Sequence, residues 1–160
     1  MYDDINEIIK DFLWLGNSWA ADDIEDLKKK GIKKILSVWD SEGPNYKDNE
    51  FIQKKIKIAD FYKANIIQYF GECLNFIKGD EKVFVHCLAG SSRSATMVIA
   101  YIMWAEKKTF TEAFDMVKSK RLVNPNLGFQ EQLKMFEKLL VENNYELDKI
   151  NFKDIEWKAN

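Results

Sequence analysis

Cys87 follows His86, the chain's one histidine, and opens the run Leu88-Ala89-Gly90-Ser91-Ser92-Arg93-Ser94. A thiol nucleophile, a glycine at which the backbone can turn tightly and an arginine offering two parallel donors stand within one short stretch. With average residue usage, the identities H-C-x-x-G-x-x-R-S arise by chance at roughly one start position in ten million. The chemistry they support is attack of a thiolate on a phosphate ester. Taken singly, a cysteine after a buried strand is a small core residue and an arginine is a surface charge, so the run as a whole carries the reading.

The elements that must hold this run are legible around it. Val83 to Val85 reads as a short buried strand, residues 87 to 93 as a loop, and Ser94 to Ala105 as a helix apolar on every side, which belongs in the middle of a domain. In such a strand–loop–helix unit the backbone N–H groups of the loop converge on one point, and the positive end of the helix dipole adds to them. The same field favours Cys87 in its thiolate form at neutral pH. Upstream, Ile5 to Ile9, Phe12 to Leu15, Ile32 to Val38 and Phe51 to Ile58 read as strands. Asp22 to Lys30 reads as a helix closed by Gly31, and Ile66, Tyr69, Phe70, Cys73, Leu74 and Ile77 repeat at helical spacing. Trp39 to Glu50, with Gly43-Pro44-Asn45, is a loop. Downstream, Thr109 and Glu112 form a capping box for a helix to about Ser119, and a last helix runs from Leu127 to Glu142. The expectation is an α/β fold with a central, mostly parallel twisted sheet of about five strands flanked by helices.

The 160 residues suit one domain, which we expect over residues 1–142. Residues 143–160 form a C-terminal extension whose Tyr145, Phe152 and Trp157 carry enough apolar surface to pack in part. A net charge of −2 gives no electrostatic reason to expect nucleic-acid or membrane binding, and no apolar stretch reaches membrane-spanning length. The basic stretch of Lys28 to Lys30 with Lys33 and Lys34 reads as a solvated helix end and the turn after it. Cys73 and Cys87 are too few for a disulfide framework, and with one histidine they make no structural zinc site. The N-terminus Met1-Tyr2-Asp3-Asp4 has neither a signal peptide nor a myristoylation glycine. We expect a monomer in the cytoplasm, with the nucleus also open to it, and neither metal nor cofactor.

The chain resembles a small, stand-alone dual-specificity phosphatase of the cysteine-based protein tyrosine phosphatase superfamily. Beyond the run itself, the resemblance is carried by Leu15-Gly16-Asn17 with Ala20-Ala21, by Ile56 to Phe70, by Ser94 to Tyr101, and by Asn124-Pro125-Asn126-Leu127-Gly128-Phe129 with Gln132-Leu133. It covers roughly residues 5 to 142. The resemblance implies Cys87 as nucleophile, forming a phosphocysteine intermediate, and Arg93 as the clamp on the phosphoryl oxygens. It implies that His86 orients the loop and tunes the thiolate. Ser94 would hydrogen-bond the sulfur as it leaves, and the backbone amides of Leu88, Ala89, Gly90, Ser91, Ser92 and Arg93 would complete the cradle.

Loss of an alkoxide or phenoxide calls for a proton donor opposite the nucleophile. The family carries an aspartate on a loop after a strand, upstream of the signature, and Asp60 matches that place, though a few residues nearer Cys87 than is usual. A capping role for Asp60, or Asp40 or Glu42 as the acid, is the competing assignment. Asn126 reads as the cap of the last helix, and the resemblance adds a role bracing the phosphate loop. Cys73 reads as core, with a redox partnership to Cys87 the minor alternative. Phe61 and Tyr62 either flank a substrate ring or pack. Uncharged Leu88, Ala89, Ser91 and Ser92 favour phosphotyrosine and phosphoserine or phosphothreonine of proteins over a polyanionic phosphoinositide headgroup. The alternatives are a phosphoinositide or other non-protein phosphatase, or a phosphoprotein-binding module.

Overall fold

Ile5–Ile9 (β1) pairs antiparallel with Leu13–Gly16 (β2), and β2 pairs parallel with Val83–His86 (β5). On the other side β5 pairs parallel with Lys34–Val38 (β3), which pairs parallel with Ile52–Ile56 (β4). The sheet order is therefore β1-β2-β5-β3-β4, mostly parallel with one antiparallel edge strand, as the sequence led us to expect. The computed structural model describes residues 3–159, so Met1 and Tyr2 of the N-terminal reading and Asn160 of the last segment lie outside it.

β5 is the middle strand, and all four of its residues are buried, as a parallel strand covered on both faces requires. Its side chains alternate between two cores. Val83 and Val85 join Leu13, Leu15, Leu36 and Val38 in the larger cluster, while Phe84 joins Trp14, Ile35, Leu27 and Phe51 in the smaller one. The larger cluster is built on Arg93–Ala105 (α4), nearly all of it buried, which packs against Phe70–Ile77 (α3), Phe110–Lys118 (α5) and Leu127–Glu142 (α6). The Thr109–Glu112 capping box of α5 is present in both directions.

Two helical stretches differ from the reading of the sequence. The helix expected over Asp22 to Lys30 is present as Ile24–Lys29 (α2), but Asp22 belongs to a separate short helix, Ser18–Asp22 (α1), and Asp23 between them has a ψ of 76° that no helix accommodates. Two short polar side chains create the break. Asn17 caps α1 by accepting from Ala20 N at 3.0 Å, and Asp23 caps α2 by accepting from Asp26 N at 3.2 Å. The Ile66 repeat begins as a tight 3₁₀ turn, Ile67–Tyr69, before α3. Past α6 the chain makes two further 3₁₀ turns, Leu147–Lys149 and Phe152–Asp154, and buries Leu147, Ile150 and Phe152 in the larger core. Phe152 lies against Gly71, where a side chain would meet its ring at 2.6 Å.

Candidate active site

The run His86 to Ser94 leaves the C-terminal end of β5, where open parallel sheets place their ligands. Register alone puts Gly16 and Ser37 beside His86, as partners of the last β5 residue on its two neighbours. Ser37 Oγ lies 2.6 Å from His86 Nε2, and His86 Nδ1 lies 3.2 Å from the Cys87 carbonyl oxygen. A carbonyl can only accept, so Nδ1 carries the proton and Nε2 accepts from the Ser37 hydroxyl. The imidazole is fully buried between Phe84, which stacks on it, and Trp39, which meets it edge-on. Burial drives its pKa down to about 4, so the ring is neutral and serves as a fixed hydrogen-bonding wedge behind the cysteine.

From Cys87 the chain curls into a cup whose carbonyls are held from outside. Ser18 N donates to Leu88 O at 3.0 Å and Asn124 N to Ser91 O at 2.7 Å. Arg121 donates through Nε to Gly90 O at 2.9 Å and through a terminal nitrogen to Ala89 O at 3.1 Å. With four successive carbonyls drawn outward, the intervening N–H groups are left to face the cup. Gly90 has φ +70°, and a Cβ there would sit 2.5 Å from the Gly16 carbonyl, so the turn demands glycine on both counts.

Cys87 Sγ sits at the floor of this cup, receiving the Gly90 N–H at 3.3 Å and lying 3.0 Å from Ser94 Oγ. Arg93, 6% exposed, opens α4 and is anchored at one terminal nitrogen, which donates to Asp40 Oδ1 at 2.8 Å and to Ile58 O at 3.0 Å. Its buried Nε has no partner among the described residues. A guanidinium pinned at one corner, with a desolvated N–H left over, is preorganised to grip an oxyanion. Ser92 stands at the N-cap of α4 without capping it. Its hydroxyl donates instead to Asp60 Oδ1 at 2.7 Å and accepts from Asn126 N at 3.0 Å.

Asp60 thus reaches the rim of the cup from the loop after β4. Asn126 Nδ2 donates to the same Oδ1 at 2.9 Å, while Asn126 Oδ1 caps α6 by accepting from Phe129 N. With two donors on Oδ1, the oxygen available to carry a proton is Oδ2. Asp40, weighed against Asp60 as an acid, is committed elsewhere: the hydrogen bond from Arg93 and then the backbone hold its carboxyl below the usual carboxylate range. Glu42 offers its backbone carbonyl to Lys55 Nζ. Cys73 is fully buried on α3, and burial pushes its thiol up. Among the described residues no three His, Cys, Asp or Glu side chains cluster to hold a metal ion, and no helix is long and apolar enough to cross a membrane.

Two participants escaped the sequence reading, and a third was given another task. Arg121, 3% exposed, also donates to Asp3 O at 2.7 Å and Asn6 Oδ1 at 2.8 Å, tying the cup to the first strand. Nothing in local periodicity marks it. Ser37 did leave a trace, as one hydroxyl in the otherwise apolar stretch Ile35-Leu36-Ser37-Val38. Asp40 was noticed, but for a different task.

Residues 13–139 match the family model of the dual specificity phosphatase catalytic domain. The chain is 43% identical over 136 residues to dual specificity protein phosphatase 19 of Mus musculus, an alignment covering 81% of this chain and 61% of that one. It is 38% identical to dual specificity protein phosphatase 1 of Arabidopsis thaliana, covering 85% of this chain and 71% of the relative. Against dual specificity protein phosphatase 1-B of Xenopus laevis it spans only 35% of the relative's length. The crystal structure of the human tyrosine phosphatase-like serine/threonine/tyrosine-interacting protein superposes with a TM-score of 0.80 at 35% identity, covering 86% of this chain and 97% of that one. A fold, a cup and a family model that agree over most of the length make this chain a member of the dual specificity phosphatase family.

Proposed function

We propose that the chain hydrolyses phosphotyrosine and phosphoserine or phosphothreonine in proteins through a phosphocysteine intermediate. The observation that carries the reading is Cys87 Sγ beside the Ser94 hydroxyl, in the same run as Arg93, whose buried Nε is left without a partner among the described residues. In the first step Sγ attacks phosphorus as the thiolate, the S–P bond forms and the P–O bond to the side chain breaks. Asp60 delivers a proton from Oδ2 to the departing oxygen, while Ser92 and Asn126 hold Oδ1. Arg93 and the cup amides receive the equatorial oxygens, on which charge accumulates. In the second step water attacks phosphorus, Asp60 takes its proton, and the S–P bond breaks toward a sulfur that accepts from Ser94. His86 acts only by position. The enzyme works as a monomer on phosphoproteins of the cytoplasm and nucleus, where reducing conditions keep the thiol free.

The test is phosphate release from matched phosphotyrosine, phosphothreonine and phosphoserine peptides in the presence of chelator, with Cys87→Ser as the blank. Release from phosphotyrosine and phosphothreonine peptides, abolished in the variant, is expected. Release only from phosphoinositides or nucleotides would move the substrate class. Peptide binding without turnover would make the chain a phosphoprotein-binding module.

A further inference from the structure

We propose that the segment Ile155–Trp157 is a strap that sets the position of Asp60, with Trp157 a positioning residue for proton transfer. The inference rests on the reading of Asp60 as the general acid. From Ala59 to Ile66 the chain has only short local turns, Phe61 N to Ala59 O at 3.0 Å, Ala64 N to Phe61 O at 2.9 Å and Ile66 N to Ala64 O at 3.1 Å. Such a stretch takes its precision from what it is tied to.

Part of the tie is α6. Buried Gln132 donates to Ala64 O at 2.9 Å and accepts from Ile67 N at 3.0 Å, and Gly128 lies so close to the Tyr62 carbonyl that a Cβ has no room. The rest is the chain's last described segment. Trp157 Nε1 donates to that same Tyr62 carbonyl oxygen at 3.0 Å, and Asn65 Nδ2 donates to Ile155 O at 2.8 Å. The strap therefore grips the acid loop at two points, two and five residues beyond Asp60. It is moored just upstream, where Phe152 is buried with its ring centroid 5.8 Å from that of Phe136. The Tyr62 carbonyl is caught between Gly128, which stops it from moving inward, and the indole, which holds it from outside.

Proton transfer tolerates little error, because donor and acceptor must meet at hydrogen-bond distance and a displacement of about 1 Å can cost about a hundredfold. A strap acting on the acid loop should therefore change the response to leaving group and spare nucleophilic attack.

Trp157→Ala and Trp157→Phe should be compared with the parent chain and with Asp60→Asn, by kcat/KM on phenyl phosphate and on difluoromethylumbelliferyl phosphate. Phenoxide needs a proton to leave and the fluorinated coumarin barely does. Asp60→Asn is expected to lose about a hundredfold or more on phenyl phosphate and little on the activated ester. Trp157→Ala is expected to lose about tenfold on phenyl phosphate and less than about twofold on the activated ester, as loss of one positioning hydrogen bond implies. Trp157→Phe, which keeps an aromatic ring at the position but lacks the N–H donor, guards against an unfolded variant and is expected to shift the same way. Equal losses on both esters, or none, would overturn the strap. A failure of Asp60→Asn itself to discriminate between the esters would instead overturn the general-acid reading.

Discussion

The single histidine makes one prediction unusually clean. His86 has a folded pKa of about 4 against an ordinary 6.5, because burial penalises the imidazolium, the bond to the Cys87 carbonyl only partly offsets this, and the Lys55 charge adds to the penalty. The folded value is the lower one, which fixes the sign. Above about pH 6.5 neither state binds the proton, and the contribution of the neutral ring to stability is fully present. As pH falls from there toward 4, the unfolded chain takes up the proton and the folded one does not, so stability declines. By about pH 5 the loss reaches about 2 kcal/mol, and below pH 4 it levels off near about 3 kcal/mol. Against a total stability of about 5–15 kcal/mol for a domain, that is readily measured. Urea unfolding at several pH values, differenced against His86→Asn, isolates it from the carboxylates. Asn keeps a donor near the Nδ1 position and cannot titrate. Nitrogen shifts of the lone imidazole should also stay those of the neutral Nδ1–H form down to about pH 5. Parallel stability curves for parent and variant, or a ring that titrates near 6.5, would refute the account of His86 as a neutral wedge.

The clamp behind the cup predicts that Arg121→Met destabilises the fold by about 3 kcal/mol, because several carbonyls lose a charged donor at once. It should also lower kcat/KM about a hundredfold and weaken inhibition by inorganic phosphate, since the amides no longer converge. Unchanged phosphate inhibition would mean that the cup holds its shape unaided. Gly128→Ala should cost about 1–3 kcal/mol by driving the Tyr62 carbonyl away from α6. Kinetically it should hurt phenyl phosphate more than an activated ester, and a parent-like melting temperature would count against the close approach.

What the sequence disclosed follows from how local each determinant is. β5, the cup and α4 are contiguous, and their function depends on residue types at fixed offsets, so the run at 86–94 could be read directly. α6 was equally legible, since Asn126 as cap and the apolar period after it define both its start and its face. α1 was missed because Asn17 and Asp23 set its two ends through side-chain and backbone caps, which apolar periodicity does not register. Arg121 was missed for a different reason. Its partners Asp3, Asn6, Ala89 and Gly90 are brought to it only by the closed sheet, and no spacing along the chain encodes that meeting. Asp40 shows the intermediate case: its chemistry was visible, but its task depended on which cation the fold set beside it.

Ser92 shows why the site has to be read as one unit. At the head of α4 a serine ordinarily satisfies a helix N–H with its own hydroxyl. Here it gives up that role, leaving the first-turn amides of α4 to the cup, and spends its one proton on Asp60 while accepting from Asn126 N. One hydroxyl thus couples the cup, Asp60 and the start of α6. Because both Ser92 and Asn126 donate to Oδ1, Oδ2 is left clear of them, as the proposed general-acid role of Asp60 requires. The polar network fixes where Asp60 points, and the choice of oxygen for its proposed role follows from counting donors.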